Sequence, residues 1–252
     1  MGDDDHPELP LLPPDGGGTE LSAQFIAALE DSSVAIAVDP RPVSERAPAL
    51  VCFGGIAGGM IGPPFEFLRL TEALAVHRIF VRDLNQCWYQ RGLSGVGADV
   101  RQVAAGLDAI LNELGSSRRV FVGTSSGAFA AILFGVLDRA DAVIAFSPQA
   151  SLTLRVRLRY RDRRWSKQVK KARRNSVDPQ HIDLVRLLGT HADHAKITVH
   201  YGRDDRLDAA HAHLLGHQTG VEAVAHLGGH VFVRNLRDSG QLEPLLRLSL
   251  RL

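Results

Sequence analysis

Cysteine is scarce in this chain, with only Cys52 and Cys87 among 252 residues. Two thiols with no zinc-ligand spacing exclude a disulfide-stapled or zinc-built scaffold, and Cys52, inside an apolar run, reads as a small buried hydrophobe. Long hydrophobic runs are missing too. None reaches the roughly 20 residues that a membrane-spanning helix needs. The first residues, "MGDDDHPELPLLPPDGGG", have neither the basic start nor the apolar stretch of a secretory signal. They read as a mobile lead-in, residues 1–32, and the expectation is a cytoplasmic protein. No internal repeat is visible. Net charge is also small, at +1.

That small charge hides an asymmetry. From Arg155 to Arg174 there are eleven Lys/Arg and one acid, Asp162, so this segment carries +10 and the rest of the chain −9 (+1 minus +10). An apolar fraction of 45% and a charged fraction of 23% are ordinary for a globular protein of one large domain, with room for an inserted cap.

Short apolar runs rich in β-branched or aromatic residues read as buried strands: 33–39, 49–55, 78–84, 119–123, 142–148, 196–202 and 221–227. Helical patterns lie between most of them. "PFEFLRLTEALAV" (64–76) places Phe65, Leu68 and Leu74 near one face, and 96–115 runs at helical period to a C-capping Gly115. The run 126–138 is apolar nearly all round, and 207–218 and 240–252 complete the set. Alternating strands and helices imply an α/β fold with a mostly parallel central sheet and helices on both faces. Ligands of such sheets bind beyond the carboxyl ends of the strands, so polar residues just after a strand are the ones of interest.

"GTSSG", residues 123–127, centres a G-x-S-x-G pattern on Ser125. A serine on a tight strand-to-helix turn has strained backbone angles and close neighbours, so only small residues fit two positions away on either side. A bare Gly/Ser turn is the competing reading. The strand before and the helix after supply the context that the motif requires. Ser126 is the weaker nucleophile, and its backbone N–H suits an oxyanion donor.

Serine needs a base, and the base needs an orienting group. The strand 196–202 runs straight into "RDDRLD". Asp205 is the candidate orienter, with Asp204 and Asp208 as competitors, although an aspartate after a strand is commonly a helix cap. His230 follows a Gly-Gly pair past the last strand and is the candidate general base, whereas His226, within the strand, reads as a packing residue. The glycine-rich "FGGIAGG" after the second strand offers a second oxyanion donor, Ile56 first and Gly55 next. It lacks the G-x-x-x-x-G-K-[ST] of a phosphate loop, which disfavours nucleotide binding.

These four features, "FGGIAGG", "GTSSG", "YGRDD" and "GGH", in this order, resemble the α/β-hydrolase superfamily. The resemblance implies an eight-stranded type of sheet, a Ser125–His230–Asp205 triad and an oxyanion hole from Ile56 and Ser126. "VRDLNQCWYQRGLSGVG" and "GTSSGAFAAILFG" further look like a bacterial branch of serine hydrolases associated with polysaccharide or natural-product gene clusters. Two departures are Gly54-Gly55 where many members have His-Gly, and a serine after the nucleophile where many have a bulkier residue. In this frame residues 33–150 and 190–252 form the core, and 151–189 a short basic cap or lid. Asp83, Trp88, Tyr89 and Arg91 are candidates to line the substrate site together with Gly55, and covering the sheet edge is the alternative for Trp88 and Tyr89.

The expected activity is a serine hydrolase or acyltransferase on an ester or thioester. A cyclase or lyase using His230 as base, and a non-catalytic binding protein, are the alternatives. No metal or organic cofactor is expected. The expected substrate is a small or carrier-bound acyl compound, and the basic segment 155–174 would suit an anionic partner. A membrane partner is not expected. Nucleic acid is disfavoured, because only Tyr160 and Trp165 could stack bases there.

Overall fold

A computed structural model describes residues 23–40, 46–56, 65–191 and 195–252. Each apolar run named above forms a strand: β1 (Ile36–Asp39), β2 (Ala49–Phe53), β3 (His77–Val81), β4 (Arg119–Thr124), β5 (Ala142–Phe146), β6 (Lys196–Gly202) and β7 (Val221–His226). Among the described residues they make one seven-stranded sheet in the order β1-β3-β2-β4-β5-β6-β7. β1 pairs antiparallel with β3, and every other pairing is parallel. Arg78 and Asp39 sit opposite each other across β1 and β3, where the Arg78 Nε donates to the buried carboxylate at 2.8 Å.

The helices are α1 (Ala23–Glu30), α2 (Val100–Glu113), α3 (Ser126–Leu137), α4 (Leu154–Tyr160), α5 (Ser166–Asn175), α6 (Leu184–Thr190), α7 (Arg206–Gly216), α8 (Val233–Asp238) and α9 (Leu242–Leu250). None of the described helices is long and apolar enough to cross a membrane. Strand side chains alternate between two cores, as a period of two demands. Ala49, Val51 and Phe53 of β2 face a layer built from α2, α3, α6 and α7, while Leu50 and Cys52 face one built from α1, α8 and α9. α3 is buried along almost its whole length, which is why its sequence is apolar all round.

Three expectations need correction. The lead-in does not run to residue 32. Residues 1–22 lie outside the described residues, but α1 belongs to the core, with Phe25 buried and its ring 6.0 Å from that of Phe80. The segment 65–76 is a succession of turns rather than a helix. Phe67 has φ +67°, which breaks the helical ladder, yet Phe65 and Leu74 are buried as their spacing suggests. Finally, the span 151–189 is not all cap. Leu184, Leu187 and Leu188 of α6 join the main core, so α6 is a layer helix, and the basic surface lies on α4, α5 and the link between them.

Candidate active site

β4 delivers Ser125 to the carboxyl edge of the sheet, in the turn before α3. Its backbone is at φ 56°, ψ −116°, strained for any residue with a side chain. The flanking glycines have a steric cause. A Cβ on Gly123 would lie 2.3 Å from the Gly127 carbonyl group, and one on Gly127 would lie 2.2 Å from the Phe53 oxygen. Strand, turn and helix are pressed together here, and the serine is pushed outward. Its N–H is fixed on the Phe146 carbonyl at 2.8 Å.

His230 reaches Ser125 from the loop after β7. His230 Nε2 lies 3.3 Å from Ser125 Oγ, and its Nδ1 lies 2.7 Å from Asp208 Oδ2. The loop rests on the end of β6, where a Cβ on Gly202 would meet the Gly228 and Gly229 oxygens at 2.4 and 2.3 Å. Gly228, at φ +107°, turns the chain there.

The three aspartates after β6 have separate tasks. Asp204 accepts the Gly228 N–H at 2.9 Å and so pins the histidine loop. Asp205, expected to orient His230, instead caps α7: its Oδ1 accepts the Leu207 and Asp208 N–H groups at 2.9 and 3.0 Å. Asp208, one helical turn further on, faces His230. The capping rules offered a signal, because an aspartate directly before a helical pattern is an N-cap by default and the next acid in the first turn is Asp208.

Asp208 is buried, with 1% of its side chain exposed. Burial alone would raise its carboxyl. Hydrogen bonds from His230, Arg164 and Ser147 outweigh that and hold it below the ordinary carboxylate range. Asp205, Asp208 and His230 bring ligand-type atoms within 4.8 Å of one another. Both Asp208 oxygens are already engaged, one by the Arg164 guanidinium at 2.7 Å, which would repel a cation.

The oxyanion candidates meet in an unforeseen way. The Ile56 N–H donates to Ser126 Oγ at 2.7 Å, and the Gly55 N–H donates to Glu66 Oε1 at 2.9 Å. Glu66 was not singled out from the sequence. Burial raises its carboxyl, while bonds from Gly55 and Thr124 oppose the rise. It braces the chain beside Ser125. Residues 57–64 of the glycine-rich loop lie outside the described residues.

Trp88 and Tyr89 do not line the site. Both are buried, with Trp88 Nε1 donating to Gln149 Oε1 at 3.1 Å and Tyr89 OH donating to the Gly54 oxygen at 2.9 Å. The cause is Asp83, whose carboxylate gathers the N–H groups of Asn85, Cys87 and Tyr89 and curls this loop inward. Arg91 is exposed. Tyr89 therefore supports the candidate oxyanion strand from behind.

No family model matches the chain, and no curated protein matches it. Solved structures do. The capsule O-acetyltransferase of Neisseria meningitidis serogroup A superposes with a TM-score of 0.60 at 14% identity, over 82% of this chain and 90% of that one. The fluorophosphonate-binding serine hydrolase FphF of Staphylococcus aureus gives 0.62 at 13% identity, over 85% and 91%. The S-formylglutathione hydrolase of Agrobacterium tumefaciens gives 0.58 at 14% identity, over 86% and 88%. At such identities the likeness is one of fold, and it agrees with the sheet and the strained strand-to-helix turn at Ser125: the chain has the α/β-hydrolase fold.

Proposed function

We propose that this protein is a serine hydrolase or acyltransferase acting on an ester or thioester through Ser125, His230 and Asp208. The observation that carries the reading is the continuous relay from Ser125 Oγ to His230 at 3.3 Å and on to Asp208 at 2.7 Å, beside a strained turn. Solved structures of the same fold, named as O-acetyltransferase, serine hydrolase and S-formylglutathione hydrolase, support the substrate class.

Ser125 Oγ attacks the acyl carbon as His230 Nε2 takes its proton. Asp208 holds Nδ1–H, which fixes the tautomer and stabilises the imidazolium. The carbonyl oxygen becomes an anion and takes the N–H groups of Ser126 and Ile56, displacing the Ser126 hydroxyl from Ile56. His230 then protonates the leaving alcohol or thiol. The acyl group left on Ser125 passes to water or to an acceptor hydroxyl, with His230 again as base.

Turnover of p-nitrophenyl acetate and of a short acyl thioester, with and without added alcohols, tests this reading. Ser125→Ala and His230→Ala should each lose about 10⁴-fold or more in kcat. Undiminished turnover in Ser125→Ala would refute it.

A further inference from the structure

One cation of the basic segment reaches the candidate triad. Arg155, Arg159, Arg161, Arg163, Lys167 and Lys170 are exposed. Arg164, in the link between α4 and α5, turns inward. Its Nη1 donates to Asp208 Oδ1 at 2.7 Å, and its Nε and Nη2 donate to the two oxygens of Asp162 at 3.2 and 3.1 Å. One guanidinium thus bridges two buried carboxylates, which the flat fork of arginine suits and the single point of a lysine does not.

Asp162 is anchored in turn. His211 of α7 is fully buried, its Nδ1 accepts the Ala150 N–H at 3.1 Å, and its Nε2 lies 3.2 Å from Asp162 Oδ2. With Nδ1 accepting, the ring proton sits on Nε2 and is donated to Asp162. Arg157 of α4 stands 3.9 Å from the same carboxylate.

We propose that Arg164 is a positioning residue for the candidate triad: it fixes the Asp208 carboxylate with its free oxygen turned to His230, and it offsets part of that carboxylate's charge, so that the cap segment sets the pH at which the base becomes available. The proposal rests on the Ser125–His230–Asp208 reading above. Asp162, Asp208, Arg164 and Arg157 sum to zero, with Arg164 the cation that touches Asp208. Without Arg164 the Asp208 carboxylate acts on the imidazolium with its full charge, while Asp162 keeps Arg157 and His211.

Other charged groups around the site have partners of their own, Glu66 with the Gly55 N–H among them. Asp205 caps α7, Asp204 holds Gly228, and Arg206 donates to the Tyr160 oxygen. From β6 and β7, His200 and His226 lie in the opposite layer, stacked on Phe146 and Phe232.

The test is the pH profile of fluorophosphonate labelling at Ser125, located by mass spectrometry, with kcat, KM and thermal melting measured on the same samples. Arg164→Gln should lower kcat about 10- to 100-fold with KM within about twofold. It should move the acid limb of labelling up by about half to one pH unit, because the imidazolium is then favoured. Arg164→Lys keeps the charge and should restore the limb. Asp162→Asn should move it the opposite way, to lower pH, because Arg164 then acts on Asp208 undivided. A merely structural role would lower the melting temperature and leave every limb in place. Labelling of wild type with the Arg164→Gln limb unmoved would overturn the proposal alone. A folded wild type that is not labelled at Ser125 would overturn the triad reading and the proposal with it.

Discussion

The two halves of the candidate site are built from different materials. On the Ser125 side, position is set by backbone against backbone: Gly123 on Gly127, Gly127 on Phe53, and Ser125 held at φ 56° between them. On the acid side, position is set by side-chain charges: Asp208 is shared between His230 and Arg164, Asp162 between Arg164 and His211. Contact between backbones leaves a mark in the sequence as obligatory glycine. A charge network leaves only a choice among several aspartates and arginines.

Breaking the first half should therefore cost most, and in stability rather than in charge. Gly127→Ala puts a methyl group 2.2 Å from the Phe53 oxygen, with no flexible side chain to yield. A loss of about 3 kcal/mol in urea unfolding, together with loss of Ser125 labelling, is the expected result. An unchanged midpoint would mean that β2, β4 and α3 are not pressed together as described.

The layer opposite the charge network should instead respond to pH, through a buried histidine. Burial, then the neighbouring His226, pushes the His200 imidazole down to about 4. An unfolded histidine takes its proton near 6.5. Between these values the unfolded state binds more protons, so stability rises with pH across the window and is lost as pH falls through it. Lowering the pH from about 6.5 to 5 should cost the wild type about 2 kcal/mol more than it costs His200→Gln. The depressed carboxyls of Asp162 and Asp208 do not contribute here, since their stabilisation is lost only below about pH 4. Equal pH slopes in wild type and His200→Gln would show that His200 does not carry this term.

Tyr89→Phe is the mildest perturbation. It removes the bond to the Gly54 oxygen, and a stability loss of about 1 kcal/mol is expected with the melting transition still cooperative. If the variant instead changed KM strongly and stability not at all, Tyr89 would belong to the substrate site after all.

The same contrast explains what was legible. Seven strands, the turn that carries Ser125 and the loop that brings His230 beside it could be read, because apolar runs, glycine spacing and a loop after a strand are local signals. The turn segment 65–76 misled because helical spacing says nothing of a positive φ at Phe67. Trp88 and Tyr89 suggested a pocket lining because their sequence position is at the ligand end, and the Asp83 carboxylate that folds them inward is visible only in three dimensions. Asp205 suggested the triad acid because it stands first after the strand with its neighbour Asp204. Its oxygen goes to the α7 N-terminus, and the partner that marks out Asp208 is Arg164, 44 residues away.

The rate of fluorophosphonate labelling at Ser125, compared in wild type, Asp208→Asn and Asp205→Asn, tests the central claim most directly. Asp208→Asn should label about 10³- to 10⁴-fold more slowly while still folded, because His230 loses its orienting carboxylate. Asp205→Asn should label at close to the wild-type rate, since asparagine also caps a helix well. The reverse order, with Asp205→Asn inert and Asp208→Asn unaffected, would contradict the relay described for this site.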